Sequence, residues 1–506
     1  MKVFPDFDTF KTAYDAGKAQ VVWTKLVADL ETPVSVMMKL AENRPDSFLL
    51  ESVTGGANRG RYSFLGMKPD LTWRCFGEKA EINRKADVDR DGFEPCTEAS
   101  IQSLRSLIEE SAIDLPDHLP PMAAGLVGYM GYDTVRLMEK LPDSNPDPLG
   151  IPDGLFMRPS IIAAFDNIED VLTVVTPIRP VQDMNAKAAY DWALDRLQAV
   201  VDDLQASVPY TQSYNDELGE LPEPQSNMSR EEFHGMVEKA QEYILDGDIF
   251  QAVVSQRFTL PFELPHFALY RSLRRLNPSP FLFFLNFGGF TLVGSSPEIL
   301  VRQRDGEVTI RPIAGTRVRG KDDAEDQALK SDLLSDPKEL AEHLMLLDLG
   351  RNDVGRVAKV GTVKVTEEMN VELYSHVMHI VSNVVGELDT NRFDNMDALI
   401  GGFPAGTVSG APKVRAMEII DELEPERRSF YAGCIGYFGA NGDMDTAIAL
   451  RTALLKDGKM YVQAGGGVVA DSSPEGEYQE SINKARALVR AAEEAYKFAA
   501  SDKPRN

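Results

Sequence analysis

Cysteine is scarce in this chain and poorly placed for chemistry. The 506 residues hold three, Cys75, Cys96 and Cys434. They are odd in number and form neither a C-x-x-C pair nor a zinc spacing. A disulfide-stapled fold is thereby excluded, and a reducing, cytoplasmic location is expected. Long apolar runs are missing as well. The most apolar, Phe281–Phe287, is far too short to span a membrane, and the opening MKVFPDFDTFKTAYDAGK is too polar for a secretory leader. Positive charge is in deficit: 53 Lys and Arg against 79 Asp and Glu leave a formal net charge of −26. That balance speaks against nucleic acid or an anionic membrane as partner. It does not speak against a small anionic substrate, because a local pocket can oppose the global field. There is no G-x-S-x-G elbow and no repeat of solenoid period. What is present is ordinary for a soluble globular protein, 43% hydrophobic and 26% charged. The length suits about two or three domains, or one large composite core.

The elements come in runs rather than in strict alternation, which predicts an α+β fold with large mixed or antiparallel sheets. A helix from Val34 precedes strands at 48–52, 61–66 and 71–76. The run GLVGYMGYD at 125–133 places glycines inside an apolar strand, a sign of bulges or close backbone approach. A hairpin is expected at 160–176 and an amphipathic helix at 185–206. Residues 207–228 are polar, contain proline and lack periodicity. They read as a linker between an N-terminal region, 1–206, and a second region, 229–506. That region opens with the capping box Ser229-Arg-Glu-Glu232 and a strand at 249–258. A hairpin turns at Asp305-Gly306. Asp336-Pro337-Lys338-Glu339 starts a helix, with proline at its first position. Strands follow at 362–366 and 377–385, then the Gly/Pro-rich loop GGFPAGTVSGAPK at 401–413 and a helix at 414–423. A meander of strands at 433–439, 446–454 and 460–463 delivers the chain to a Gly-rich turn, AGGG at 464–467. A last helix begins at Pro474.

Carboxylates are the main chemical signal. Glu339 and Glu342 are three apart on one helix, as are Glu477 and Glu480 on another, so each pair shares a face. Charged helix faces are most often simply solvated. Two such pairs facing each other would instead call for a hard cation such as Mg2+, which prefers oxygen ligands. The loop GTVSGAPK is not a Walker A motif, since no Ser or Thr follows Lys413. It is either a structural turn or a nest of backbone N–H groups for a carboxylate. Arg451 and Lys484 are surface charges or carboxylate clamps. His376 and His379, three apart in a strand-like segment, point to opposite faces and do not form a joint metal site. His379 alone is either a satisfied core histidine or a general acid/base.

Taken together, Ser296-Pro297-Glu298, PIAGTR at 312–317, Glu339-x-x-Glu342-His343, DLGRND at 348–353, GTVSGAPK and the stretch 471–480 closely resemble the chorismate-utilising enzymes. The resemblance spans about 229–490. The N-terminal half is similar to one branch, the large aminase subunits, through Leu49-Leu50-Glu51-Ser52, 61–66 and GLVGYMGYD. Two members of that branch are anthranilate synthase component I and aminodeoxychorismate synthase component I. The resemblance implies a two-sheet sandwich core surrounded by helices, with chorismate and Mg2+ bound in the second region. It implies Glu342 and Glu480 as metal ligands, with Glu339 and Glu477 assisting through water. Glu298 would be the general acid that protonates the departing 4-hydroxyl. Thr407 would serve beside it, and His379 would serve aromatisation and loss of pyruvate. Substrate contacts would come from Gln251, Ala314, Gly315, Thr316, Gly406, Tyr431, Arg451, Gly465, Gly466, Gly467 and Lys484.

Gln251 stands where water-using relatives carry a lysine, which points to ammonia as nucleophile. Ala314 stands where aminodeoxychorismate synthases typically carry a lysine, which favours anthranilate synthase over that alternative. A further alternative is a catalytically silent, tryptophan-sensing scaffold. No segment resembles a glutaminase, so ammonia is expected from a separate glutaminase subunit, in a heterotetramer of two large and two small subunits. The N-terminal region is expected to regulate and dock, with L-tryptophan bound as feedback inhibitor by Glu51, Ser52, Pro280, Phe281 and Leu282.

Overall fold

Two long strands, Asn58–Phe76 and Gly154–Asp166, pair with each other and pass from one sheet into another. The computed structural model describes residues 1–41, 44–54, 58–208, 221–374 and 377–501. The register between the long strands shifts between Pro69 and Leu71, next to Lys68 at φ 51°. A bulge of this kind bends and twists a strand pair. On one side of the bend, 62–67 and 161–166 belong to a first sheet. It runs outward through Val171–Ile178, Gln20–Val27 and Val3–Phe4. It runs inward through Ser47–Thr54, Phe281–Asn286, Thr291–Ser296, Thr452–Lys456, Lys459–Val468 and Gln251–Pro261. On the other side, 71–75 and 154–158 belong to a second sheet. Its order continues through Gly125–Met130, Cys434–Gly439, Met444–Ile448, Ile299–Arg304, Glu307–Ile310 and Val377–Glu387. Ile313–Val318 and Lys364–Leu373 both pair with this last strand. Every named pairing is antiparallel, as the α+β expectation allowed.

Alternation along the strands explains the layers. Phe48 and Phe64 enter a core drawn from both sheets, together with Trp73, Tyr129, Phe283 and Phe438. Leu49 and Leu65, one residue on, enter a second core against the helices Phe7–Asp15, Pro33–Leu40, Ala186–Gln205, His266–Leu276 and Pro474–Ser501. Successive side chains of a strand point to opposite faces, so the first sheet is covered on both. Among the described residues no helix is long and apolar enough to cross a membrane. The cysteines are unpaired.

Local signals hold where they are strong. Ser229 accepts from Glu232 N and its own N–H is met by the Glu232 carboxylate, the expected capping box. Asp336 caps the helix Pro337–Gly355. Asp305 and Gly306 both take positive φ at their hairpin turn.

Three expectations change. Gly465–Gly467 is no turn. The glycines lie inside the strand Lys459–Val468, opposite Ser255, Val254 and Val253. The single strand expected at 446–454 is broken into Met444–Ile448 and Thr452–Lys456, with Arg451 at φ 49° between them. The linker at 207–228 is not unstructured throughout, since Gln225-Ser226 pairs with Phe258 and Thr259. Residues 209–220 of it lie outside the described residues. The chain on either side of it contributes to both sheets: Ser47–Thr54 pairs with Phe281–Asn286, and Gly125–Met130 with Cys434–Gly439.

Candidate active site

Glu298 follows the strand Thr291–Ser296 and is buried. The Thr407 hydroxyl, on the short turn Gly406–Val408, lies 3.2 and 3.1 Å from its two carboxyl oxygens. Burial pushes the Glu298 carboxyl up to about 8, against the opposing pull of Thr407, the Ile313 backbone and the Arg451 charge. At neutral pH it is therefore a protonated acid, as proton donation to a poor leaving group requires.

His379 lies on Val377–Glu387, opposite a bulge in Ile313–Val318. Gly315, at φ 71° in that bulge, turns its carbonyl to within 3.0 Å of His379 Nδ1. The Thr316 hydroxyl is also 3.0 Å away. A carbonyl only accepts, so Nδ1 carries the hydrogen and Nε2 presents its lone pair. Burial pushes His379 down to about 4, with Arg451 and Lys484 adding to the effect, so the ring is a neutral base.

Arg451 stands at the strand break. Its guanidinium has no hydrogen-bond or ion-pair partner among the described residues, and Glu298 and Tyr374 are its charged or ionisable neighbours. Such an unpaired guanidinium is a ready carboxylate fork. The Tyr431 phenol, pushed up to about 12 by burial, faces the Gly465 backbone. Lys484 Nζ donates to the Gly465 carbonyl at 2.9 Å and pairs with Glu480 at 2.7 Å.

The four glutamates meet across the two helices. Glu342 is raised by burial, and the charges of Glu339 and Glu480 raise it further. Glu477 is raised by burial and then by Glu480. Gln251 Nε2 donates to Glu342 at 3.2 Å, Arg317 to Glu339 at 2.8 Å and Ser472 to Glu477 at 2.8 Å. Among the described residues no three metal-ligating side chains converge on one point. The donor set nonetheless fits a hard cation. The Glu477 Oε2 and Gln251 Oε1 atoms are buried without partners, and Glu342 and Glu477, which repel Glu480, make no ion pair of their own among the described residues. The strand glycines make this packing possible. A Cβ on Gly466 would lie 2.3 Å from Glu477 Oε2, and one on Gly467 would lie 2.4 Å from Gln251 Nε2.

The family model for chorismate binding enzymes matches residues 49–490. The chain belongs to that family. It is 60% identical over 493 residues to anthranilate synthase component 1 of Cereibacter sphaeroides, covering 97% of this chain and 98% of that one. Its identity to the Pseudomonas putida protein of the same name is 47% over 470 residues, 92% of this chain and 93% of that one. The crystal structure of anthranilate synthase component I from Streptococcus pneumoniae superposes with a TM-score of 0.75 at 37% identity, covering 92% of this chain and 99% of that one.

Within this chorismate binding enzyme, further residues join the site, and a second cluster lies apart from it. Tyr374 was not foreseen. Its ring meets His379 nearly edge-on, with centroids 5.3 Å apart, and its hydroxyl donates to Glu372. Nothing in its spacing marks it, since only the hairpin between Lys364–Leu373 and Val377–Glu387 brings it there. His376 lies outside the described residues. Arg317, part of the PIAGTR motif, holds Glu339 and also Asp332 and Asp336. Farther away, Glu51 pairs in register with Leu282, and Phe281 pairs with Ser296. Both Glu51 oxygens are taken by Arg274, and Tyr270 donates as well. The carboxylate thus fixes the helix His266–Leu276, and with it the loop 277–280, against the strand. Ser52 is half-buried beside Gly60, where an added Cβ would lie 2.4 Å from the Ser52 Cβ.

Proposed function

We propose that this chain is the large subunit of an anthranilate synthase, a lyase that converts chorismate and ammonia to anthranilate and pyruvate. The observation that carries the reading is the opposed pair Glu298 and His379. One group is kept protonated and the other neutral within the range of one free guanidinium, Arg451. Environments that push two titratable groups apart assign acid and base.

Ammonia adds at C2 while Glu298 protonates the leaving 4-hydroxyl. His379 then takes the C2 proton through Nε2 as pyruvate departs and the ring becomes aromatic. Arg451, Tyr431 and the backbone of Gly465 hold a substrate carboxylate. Glu342 and Glu480, supported by Glu339 and Glu477, would hold Mg2+. A divalent cation bound there supplies positive charge that neutralises these glutamates and a second substrate carboxylate. Gln251 stands by the same cluster and carries no charge to activate water, which suits a nucleophile that needs no deprotonation.

The names of the relatives carry a component number, which supports a partner component. We assign it the role of a glutaminase supplying ammonia, in a complex of two large and two small subunits. Tryptophan would bind between Glu51-Ser52 and Pro280–Leu282 as feedback inhibitor. The test is anthranilate fluorescence from chorismate, ammonium and Mg2+ with the full chain. Fluorescence that rises with ammonium and falls with tryptophan supports the reading. Its absence with a folded chain sinks it.

A further inference from the structure

Glu298 lines a cavity on the side of the helix Pro337–Gly355. The space amounts to about 20 Å³, room for one water-sized molecule. Its walls are largely apolar, with Ile310, Pro312, Leu346, Leu349 and Gly350 among them. The residues on its lining with polar side chains are Glu298, Thr407 and Asp353. A space of this size with polar residues on its walls is of the kind that holds a water. Asp353 is buried and accepts from Lys413 Nζ at 2.9 Å, a lysine with only 10% of its side chain exposed. A buried pair of this kind costs desolvation that its attraction need not repay, and nothing in the site described so far uses it.

We propose that this cavity takes up, as water, the oxygen expelled from the substrate, and that the Asp353–Lys413 pair on its wall returns the proton Glu298 gives up. The proposal rests on Glu298 acting as the acid in chorismate amination. In that step the ammonia lone pair forms the N–C2 bond and the ring double bonds shift. The C4–O electron pair leaves with the oxygen, which takes the Glu298 proton and becomes water. The new ammonium group releases its surplus proton to become the amine. Glu298 is left as a carboxylate, shut away from solvent, and needs one proton before the next turnover. The cavity water links it to Asp353, and Lys413 recovers the proton from outside.

The charges around the relay agree with this direction. Burial raises the Asp353 carboxyl, while Lys413 and Arg356 face it and oppose the rise. Arg451 and Tyr374 are the other ionisable groups near Glu298.

Two variants test the relay in the full chain with chorismate, ammonium chloride and Mg2+. Gly350→Ala adds a methyl at 3.5 Å from Ile310, 3.8 Å from Val384 and 3.9 Å from Pro312, ordinary contacts that take up cavity space without a clash. Alanine also favours a helix over glycine, so the fold is kept. We expect kcat to fall at least about 5-fold, with KM within about twofold and no loss in Tm. Asp353→Asn should lower kcat about 10-fold or more and move the basic limb of its pH profile to lower pH, with partial rescue in Asp353→Glu. Should Asp353→Asn fail to fold, Gly350→Ala decides alone. A wild-type chain that makes no anthranilate defeats the functional reading itself. A wild-type chain that makes it, with folded variants matching it in kcat and pH profile, overturns the relay. A loss of kcat that merely tracks a loss of Tm overturns it too.

Discussion

A carboxyl and an imidazole share one site here, and burial drives them in opposite directions. Removing charge from water favours the neutral form of each, which raises an acid and lowers a base. The consequence is a rate profile with assigned limbs. Glu298 must be protonated, so kcat should decline as pH rises through about 8. His379 must be neutral, so kcat should decline as pH falls through about 4. Steady-state kcat against pH checks both. Glu298→Gln should cost about 10²–10⁴ in kcat and remove the basic limb, because the amide cannot deliver a proton. Glu342 is different in kind. Its neighbours Glu339 and Glu480 repel it, so Glu342→Gln should abolish turnover while leaving thermal stability unchanged or slightly raised. Retained turnover in that variant would contradict the cation role.

At the scale of elements, the proposed inhibitor pocket and the proposed acid are close in the hydrogen-bond ladder. Ser47–Thr54 pairs with Phe281–Asn286, which pairs with Thr291–Ser296, which leads into Glu298. A ligand that shifts the first strand therefore acts on the acid through two registers. Ser52→Phe places a large ring where Gly60 leaves almost no space. It should relieve tryptophan inhibition while kcat stays within about twofold, as read from inhibition curves. The sequence disclosed the helix starts at Ser229 and Asp336 because a cap is a local contract between residues three apart. It disclosed the two glutamate pairs for the same reason. It did not disclose that Gly465–Gly467 is strand. Glycine reads as a turn, and the reasons for it here are tertiary: the Val254–Ser255 backbone passes too close for a Cβ at Gly465, the Glu477 carboxylate does so at Gly466 and the Gln251 amide at Gly467. Nor did it disclose the break at Arg451, since a left-handed arginine has no compositional mark. The role of Glu51 as an anchor for Arg274 depends on tertiary packing that no spacing encodes.

Each of the two sheets joins a block of strands from before residue 206 to a block from after residue 229 at one seam, Ser47–Thr54 with Phe281–Asn286 in the first and Gly125–Met130 with Cys434–Gly439 in the second. The cores they enclose draw on both halves. A fragment of 229–506 would expose the edges that Ser47–Thr54 and Gly125–Met130 cover, along with the apolar faces behind them. Such a fragment should be insoluble or lack cooperative unfolding, measurable by circular dichroism on heating. A soluble, active fragment would show that the halves fold independently. Chorismate amination followed by loss of pyruvate is the claim on which the rest depends. It is tested most directly by quantifying products after the purified full chain is incubated with chorismate, ammonium and Mg2+. The account predicts anthranilate and pyruvate in equal amounts, and 4-amino-4-deoxychorismate without pyruvate would contradict it.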